Sequence, residues 1–212
     1  MKRGMKISVL LVLVLILCVC NIQAEIIWDS GHHEVTENES YDEIIMLQDA
    51  TLDVLGGTVG TLADYDDTLS NIFGGEILEM WMSNNATANI FGGEILKLET
   101  LDFSLANIFD GGLNDLTARN NSSVNIYGGD FLRLGAYEDS FIYLYAYDVV
   151  YHETGGGSHG DDPWLEGRYY SDNNPFSFDL WGEEVYSHIT IVPEPATILL
   201  FGLGASLLRR RS

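Results

Sequence analysis

The amino-acid sequence predicts an all-β fold, a single-stack β-solenoid built from 18-residue coils. The first observation is the phrase Asn-Ile-Phe-Gly-Gly at residues 71–75, which returns with little change at residues 89, 107 and 125, after a looser copy at residue 53. The second is that no insertion or deletion interrupts the 18-residue step, as expected of stacked equivalent units. The third is the unit length, which is too short for two helices of about 10 residues or more. Eighteen extended residues trace about 60 Å at about 3.3 Å each, enough for one narrow coil.

Four columns of mostly apolar residues run through the repeat and predict the core. Within a strand, residues two positions apart point to the same side, so the first two columns face inward together. The Gly pair after them predicts a tight corner, and the Asn pairs at residues 84–85 and 120–121 predict a second corner. The columns are Leu52, Ser70, Ala88, Ala106 and Val124; Val54, Ile72, Ile90, Ile108 and Ile126; Val59, Ile77, Ile95, Leu113 and Phe131; and Leu62, Met80, Leu98, Leu116 and Leu134.

Residues 1–24 have the pattern of a secretory signal peptide. Lys2, Arg3 and Lys6 form a basic start, residues 7–20 form an apolar run, and a cleavage site is expected after Ala24. A lipid-anchored cysteine at residue 18 or 20 is the alternative interpretation, although the residues before both cysteines are large. Because these are the only cysteines, cleavage leaves a mature chain without disulfides or thiol ligands.

The rest of the chain divides into three segments. Residues 25–152 are predicted to form the solenoid, in which residues 44–47 make a first, atypical coil. Residues 153–192 begin with a Gly-rich loop and continue into an aromatic-rich stretch, which we expect to fold over the open end of the stack as a cap. Residues 193–212 form a C-terminal tail.

The charge of residues 25–192 excludes one class of partner. This segment contains 31 acidic residues and only four basic ones, Lys97, Arg119, Arg133 and Arg168. Nucleic-acid binding requires Lys and Arg side chains that neutralise phosphates, so nucleic acid is not an expected partner. Such a charge favours solubility, divalent cations or basic surfaces.

The tail carries a resemblance to a known class of sorting signal. Pro193, Glu194 and Pro195 are followed by a mostly apolar segment at residues 196–208 and by Arg209, Arg210 and Arg211. This order resembles the PEP-CTERM sorting signal of Gram-negative bacteria that possess an exosortase. Repeats of the Asn-Ile-Tyr-Gly-Gly kind also resemble those of many exported proteins of this class.

The resemblance implies a route of export. The chain would cross the inner membrane, stall transiently at a transmembrane helix formed by residues 196–208 with its Arg cluster in the cytoplasm, and be processed by an exosortase-type enzyme. Its final location would be the cell surface or the extracellular polymer. The segment is shorter than the roughly 20 residues of a stable span, in line with a temporary anchor.

Two columns form a candidate ligand surface for extracellular polysaccharide. Asparagine side chains offer polar groups to a glycan, and aromatic rings offer a stacking face. Internal ladders, in which asparagines bond to each other and rings stack on rings, are the preferred interpretation of both columns. The residues are Asn71, Asn89, Asn107 and Asn125 in the first column, Phe73, Phe91, Phe109 and Tyr127 in the second, and Trp81 nearby.

No catalytic residue, metal or cofactor is predicted. Glu76, Glu94 and Asp130 share a column that suits a cation, but the calcium-binding nonapeptide pattern is absent, and a solvated outer edge is the preferred interpretation. The His-containing stretches at residues 32–34, 152–153 and 159–162 could supply metal ligands, but histidines in acidic loops are common without a metal, and this is the preferred interpretation. Polysaccharide-cleaving solenoids pair carboxylates with a Lys or Arg on one face, and no basic residue here recurs beside an acidic cluster.

The sequence therefore favours an exported, non-enzymatic solenoid of the cell surface or extracellular matrix. A carbohydrate-binding module for extracellular polysaccharide is the second hypothesis. A glycan lyase or hydrolase is the third. The arrangement of rings and carboxylates on the folded surface separates the three.

Overall fold

The computed structural model describes residues 22–154, 160–182 and 184–193. Within this part of the chain there are 18 β-strands and one short 3-10 helix, Val185–His188, but no α-helix. The strands are β1 Ile22–Trp28, β2 His32–Val35, β3 Ser40–Met46, β4 Thr51–Val54, β5 Thr58–Asp64, β6 Leu69–Ile72, β7 Glu76–Met82, β8 Thr87–Ile90, β9 Glu94–Thr100, β10 Leu105–Ile108, β11 Gly112–Ala118, β12 Ser123–Ile126, β13 Asp130–Ala136, β14 Phe141–Leu144, β15 Ala146–His152, β16 Trp164–Tyr169, β17 Pro175–Leu180 and β18 Ile189–Ile191.

The strands form two sheets that face each other across a narrow core. The 10-stranded sheet has the order β1-β3-β5-β7-β9-β11-β13-β17-β16-β15, and the eight-stranded sheet has the order β18-β14-β12-β10-β8-β6-β4-β2. We call them the long-strand and short-strand sheets. Each coil contributes one seven-residue strand to the first and one four-residue strand to the second. The fold is thus a β-solenoid of about seven coils, as predicted.

Pairing along the stack is parallel, and its register follows the sequence repeat. Ile72 pairs with Ile90, and Ile90 pairs with Ile108, each 18 residues further along. The same step holds in the long-strand sheet, where Ile77 pairs with Ile95. Parallel strands without helical crossovers require the chain to wind around the core once per repeat, which explains why the period has no insertion.

The solenoid begins one coil earlier than residues 44–47. Strand β1 pairs in parallel with β3, placing Ile26 beside Ile44 and Trp28 beside Met46. Residues 22–35 therefore already form a coil, and the prediction that residues 44–47 start the stack was wrong. The coil at residues 22–35 lacks the repeat phrase, because aromatic and charged residues occupy the corresponding positions. Its strand residues nevertheless keep the alternation of a β-strand.

Two corners close each coil, at the positions that the sequence indicates. At the first, the glycine at the second position of the Gly-Gly corner, which reads Asp110-Gly111 in one coil, has a positive φ between 77° for Gly57 and 113° for Gly111. A Cβ on Gly75 would lie 2.8 Å from the carbonyl oxygen of Gly56 in the coil below, so a side chain has no room there. At the second corner a non-glycine residue has φ between 55° and 61°, a conformation that Asn and Asp tolerate best. These residues are Gln48, Asp66, Asn84, Asp102, Asn120 and Glu138.

All four predicted columns are buried, which confirms the predicted core. Ile72, Ile90, Ile108 and Ile126 are fully inaccessible, as is Leu62. Two further inward columns escaped prediction because they mix apolar and polar residues. They are Met46, Asp64, Met82, Thr100, Ala118 and Ala136, and Ala50, Thr68, Ala86, Ser104, Ser122 and Ser140.

After β14 the chain leaves the regular winding. Strands β15 and β16 form an antiparallel pair, and β16 pairs antiparallel with β17. Strand β17 then takes the place beside β13, with Leu180 next to Leu134, and β18 takes the place beside β14. The excursion between β14 and β17 therefore adds two strands to the edge of the long-strand sheet before the stack resumes.

Asp64 is a carboxyl group inside the core. It has no exposed surface and stands in register between Met46 and Met82. Neither of its oxygens has a partner in hydrogen-bond geometry, and the same is true of the hydroxyls of Thr68 and Ser70 in the same coil. Burial raises the pKa of Asp64 to about 7; the nearby Ser70 hydroxyl, although outside hydrogen-bond geometry, opposes this rise by a smaller amount. The neutral acid is therefore the form that the core accommodates.

This burial makes stability depend on pH. Below about pH 4 Asp64 is protonated in both the folded and unfolded states; as pH rises towards 7, only the unfolded state releases the proton, so stability is lost across this range. Asp64→Met continues the methionine column and should raise the free energy of unfolding at pH 8 by a few kcal/mol. The measurement is urea unfolding of both proteins at pH 4, 6 and 8.

The exposed Asp42→Asn is the matched control, because it removes a carboxylate without touching the core. It should leave the slope of stability against pH between 4 and 7 nearly unchanged. Equal pH dependence in wild type and Asp64→Met would contradict the assignment.

Candidate functional site

The asparagine column is a continuous hydrogen-bonded ladder on the short-strand sheet. Asn71 donates from Nδ2 to Asp53 Oδ1 at 2.8 Å, and Asn89 donates to Asn71 Oδ1 at 3.0 Å. Asn107 and Asn125 continue the series at 3.0 Å and 2.8 Å. The four side chains are half-buried. Each asparagine amide therefore uses one donor and, except at the end of the ladder, one acceptor in bonds to its neighbours. Less hydrogen-bonding capacity is left for a ligand than isolated asparagines would have.

The aromatic column is a stack at the Gly corner. Centres of successive rings lie 5.1 Å apart between Phe73 and Phe91, and 4.9 Å apart from Phe91 to Phe109 and on to Tyr127. Their planes are within 9° of parallel. Tyr145 closes the stack at 4.2 Å from Tyr127, and burial raises the pKa of Tyr127 to about 12. Phe73 is 50% exposed. The inner rings, Phe91 and Phe109, expose only their edges to solvent, because their faces cover one another.

Trp81 does not join this stripe. It lies on β7 in the long-strand sheet, whereas the asparagines lie in the short-strand sheet. The Lys97 ammonium sits 4.1 Å from the centre of the Trp81 ring, a cation–π contact that covers one face. The candidate ligand surface is therefore split between two sides of the solenoid.

Three of the four basic residues in the segment 25–192, which we call the body, lie on the outer face of the long-strand sheet. Lys97 Nζ lies 3.1 Å from Glu99 Oε2, and Arg119 Nε lies 3.1 Å from Glu99 Oε1, although the latter N–H does not point at the oxygen. Arg133 makes a two-pronged contact with Asp115 at 2.6 Å and 2.7 Å. Stacking brings Arg133 beside Asp115, 18 residues earlier, and Arg119 beside Glu99, 20 residues earlier, so these contacts are not apparent from neighbouring positions in the sequence.

These charges belong to an alternating ladder. From β7 to β17 the registered positions along the sheet run Glu79, Lys97, Asp115, Arg133 and Asp179, so opposite charges follow one another over these five strands. Four of these positions are spaced by 18 in the sequence, a signal that a search for charge columns would have found. Opposite charges on neighbouring strands are favourable, whereas like charges directly opposite are not.

At two other places in the repeat, repulsion between acidic groups is reduced by other means, although Glu76 and Glu94 are themselves neighbours in register. At the second corner Asn84 donates to Asp66 at 3.1 Å and Asn120 donates to Asp102 at 3.0 Å. Hydrogen bonds from Ser83 and Asn120 hold the pKa of Asp102 below its usual value. In the column of Glu76 and Glu94 the next residue is Gly112, and the Glu94 carboxylate lies over that glycine in the space a side chain would fill.

The histidine stretches make local contacts. His32 Nε2 lies 3.6 Å from both Glu34 Oε1 and Asp53 Oδ2 at the first coil, and the His33 ring stacks on Trp28 with ring centres 4.3 Å apart. His152 Nε2 lies 3.2 Å from Glu166 Oε1. His159 lies outside the described residues. Across residues 22–154, 160–182 and 184–193, no three His, Cys, Asp or Glu side chains come together as a metal-binding group.

A cavity that sequence reasoning missed lies where the chain re-enters the stack after β17. It has a volume of about 400 Å³. The described residues that line it come from β15, the segment before β16, the end of β17, the turn after β17 and the 3-10 helix: Tyr151, Asp162, Pro163, Leu180, Trp181, Gly182, Glu184, Val185 and Tyr186. No sequence spacing marks this set, because the antiparallel excursion, which lacks the repeat period, brings it together.

The C-terminal motif decides where the chain is sent. Pro193 is exposed at the end of the described residues, while Glu194, Pro195, Arg209, Arg210, Arg211 and the predicted membrane helix at residues 196–208 lie beyond them. Residues 192–212 match the family described as the PEP-CTERM protein-sorting motif. The chain carries a PEP-CTERM sorting signal. This signal implies an exported protein that an exosortase sorts at the membrane.

The PEP-CTERM match covers only the tail. No curated protein and no solved structure is detectably similar to the chain. No helix among the described residues is long and apolar enough to cross a bilayer. The predicted signal peptide also lies largely outside those residues, although its expected cleavage point after Ala24 falls inside β1.

Removing one rung from the middle of the asparagine ladder should destabilise the fold. Asn89→Ala leaves Asn71 Oδ1 without its donor and Asn107 Nδ2 without its acceptor. We expect a loss of about 1–3 kcal/mol in the free energy of unfolding. Denaturant unfolding measures it. Asn125→Ala, at the end of the ladder, breaks a single rung and should cost less; equal costs would show that the ladder bonds are energetically unimportant.

Reversing one charge in the alternating ladder should produce a salt-dependent loss. Lys97→Glu places three carboxylates in successive coils, at positions 79, 97 and 115. The expected cost is about 1 kcal/mol at low ionic strength and less in 1 M NaCl, where the screening length falls to about 3 Å. Lys97→Met is the control, since it removes the cation without adding an acid. A reversal no worse than Lys97→Met at low salt would refute the ladder.

Proposed function

We propose that the protein is an exported, non-enzymatic β-solenoid of the cell envelope or extracellular matrix, released or fixed there after exosortase processing. The PEP-CTERM signal at residues 192–212 is the observation that carries the proposal. The predicted signal peptide supplies the entry into the export pathway, and the Arg cluster at residues 209–211 holds the tail in the cytoplasm during sorting.

A structural role is supported by how the surface groups are used. The asparagine amides bond to one another, the inner rings face one another, and Lys97, Arg119 and Arg133 contact carboxylates on their own sheet. These groups stabilise a rod rather than converge on a reacting atom. Without disulfides in the mature chain, such ladders and the apolar columns provide the rigidity that a matrix protein needs.

The C-terminal excursion serves as the cap of the stack in this proposal. An open solenoid end exposes unpaired N–H and C=O groups that recruit further strands. Strands β15 and β16 extend the long-strand sheet by an antiparallel pair, which interrupts the parallel register that another solenoid coil would need to continue. Capping limits uncontrolled end-to-end growth in a protein that is concentrated outside the cell.

Binding of extracellular polysaccharide is the second candidate function. It is favoured by one observation, the exposed edges of the stacked rings from Phe73 to Phe109, which form an uncharged stripe on a strongly acidic body. The ring edges, and the amide N–H and C=O groups beside them that the ladder does not use, suit lateral contact with an uncharged polysaccharide chain. A glycan array probed with and without calcium tests this candidate, with Phe91→Ala as the variant that interrupts the stripe.

The sorting role has a direct test in the native host. Replacing Pro193, Glu194 and Pro195 with alanine should leave the protein unprocessed and retained in the inner-membrane fraction, because the residues that the processing enzyme reads are gone. Cell fractionation and immunoblotting report the position and the electrophoretic mobility of the protein. Pro175→Ala, a proline substitution outside the motif, should be processed normally. Unchanged release of the triple variant would overturn the assignment.

A further inference from the structure

The cavity at the end of the stack has walls that suit a cation. Trp181 is 51% exposed, Tyr186 is 41% exposed, and Tyr186 stacks on Tyr151 with ring centres 4.3 Å apart. The stack with Tyr151 covers one face of Tyr186, whereas each inner ring of the corner ladder is covered on both faces, so Trp181 and Tyr186 at the mouth of the cavity are the better placed for contact. The faces of aromatic rings carry negative electrostatic potential and attract cations.

The charged groups of the cavity have one sign. Asp162 and Glu184 are both exposed and line the same space, and no Lys, Arg or His is among the described residues that line it. The body around it is strongly acidic, with 31 acidic and four basic residues between positions 25 and 192. An anionic ligand would be repelled here, whereas a cation is favoured by the rings, by the two carboxylates and by the long-range field.

Trp181 already contacts one cation of the protein itself. The Arg133 guanidinium carbon lies 5.1 Å from the centre of the Trp181 ring, and that guanidinium is neutralised by its two-pronged contact with Asp115. Arg133 is not among the described residues that line the cavity. The indole therefore contacts one cation from the solenoid while it also borders the cavity.

We propose that this cavity binds an organic ammonium group, as found on quaternary amines. Its volume of about 400 Å³ accommodates a trimethylammonium group together with a short attached chain. Such a group is large and weakly hydrated, so it loses little solvation free energy on entering an aromatic site. Its positive charge is attracted by the carboxylates of Asp162 and Glu184. A small metal ion is a poorer match, because two carboxylates do not complete its oxygen coordination.

The proposal is independent of the sorting signal and adds a ligand to the structural role. An extracellular rod with an ammonium site at one end can attach to polymers or lipids that carry such groups. Choline is the soluble probe for this chemistry. Vesicles of phosphatidylcholine present the same group on a surface, and binding to one source or to both tells which form the cavity accepts.

The test uses the full chain, purified in a maltoside detergent, and compares choline with 3,3-dimethylbutan-1-ol, its uncharged isostere. Titration calorimetry and tryptophan fluorescence should detect choline but not the alcohol, and affinity should fall as NaCl rises. Equal binding of both ligands would identify an ordinary apolar pocket, and the absence of choline binding to either free choline or vesicles would also overturn the proposal.

Variants separate the cavity from other sites on the protein. Trp181→Leu should weaken choline binding by about tenfold, the effect of losing one cation–π contact. Asp162→Asn and Glu184→Gln keep the shape of the side chains and should each weaken binding by roughly two- to fivefold. Trp81→Leu is the matched control, because Trp81 also contacts a cation but lies on the sheet face outside the cavity. A loss of affinity in Trp81→Leu equal to that in Trp181→Leu would contradict the placement.

Discussion

Parallel stacking in register is the constraint on which the rest of this structure depends. Each residue of the repeat lies beside the residue 18 positions earlier and 18 positions later, on the neighbouring coils about 4.8 Å away. Apolar side chains benefit from this arrangement, because a column of isoleucines packs on itself. Asparagines and aromatic rings also benefit, since an amide can donate to the next amide and a ring can cover the next ring. Carboxylates do not, because stacked like charges repel.

The strongly acidic body resolves that conflict in three local ways. On the long-strand sheet, Lys97 and Arg133 alternate with acids. At the second corner, Asn84 and Asn120 alternate with Asp66 and Asp102 and donate hydrogen bonds to them. Beside the Gly corner, Gly112 leaves room for the Glu94 carboxylate. Lys97 and Arg133 are therefore placed where they separate acidic residues, while pairs such as Glu76 and Glu94 remain side by side.

The end of the stack follows different rules. Once β15 turns away from the regular winding, residues no longer sit beside their counterparts in the repeat, and side chains of different character meet. Trp181, Tyr186, Asp162 and Glu184 surround one cavity only in this region. The C-terminal region also stacks rings, such as Tyr147 on Tyr170, but it leaves Trp181 half-exposed beside the two carboxylates of the cavity. A ligand site is consequently expected at the end of the rod rather than along it.

Sequence alone determined the elements that repeat. The 18-residue period, the glycines that need positive φ and the columns around Ile72 are local or periodic features, so the fold class, both corners and most of the core could be predicted. The PEP-CTERM motif could be recognised as well, because it is a contiguous stretch. The same 18-residue period already places Asp64 between two methionines and Lys97 between two acidic residues. Only a search for columns of polar residues would have revealed these positions.

Tertiary structure alone decided the rest. The coil at residues 22–35 lacks the repeat phrase and is defined by its pairing with β3. The exposure of the aromatic stack depends on how its rings cover one another, which the order of residues does not state. The cavity depends on β17 returning beside β13 after an excursion of no fixed period. Where the chain repeats, position in the sequence gives position in space; where it stops repeating, only the folded path brings residues together.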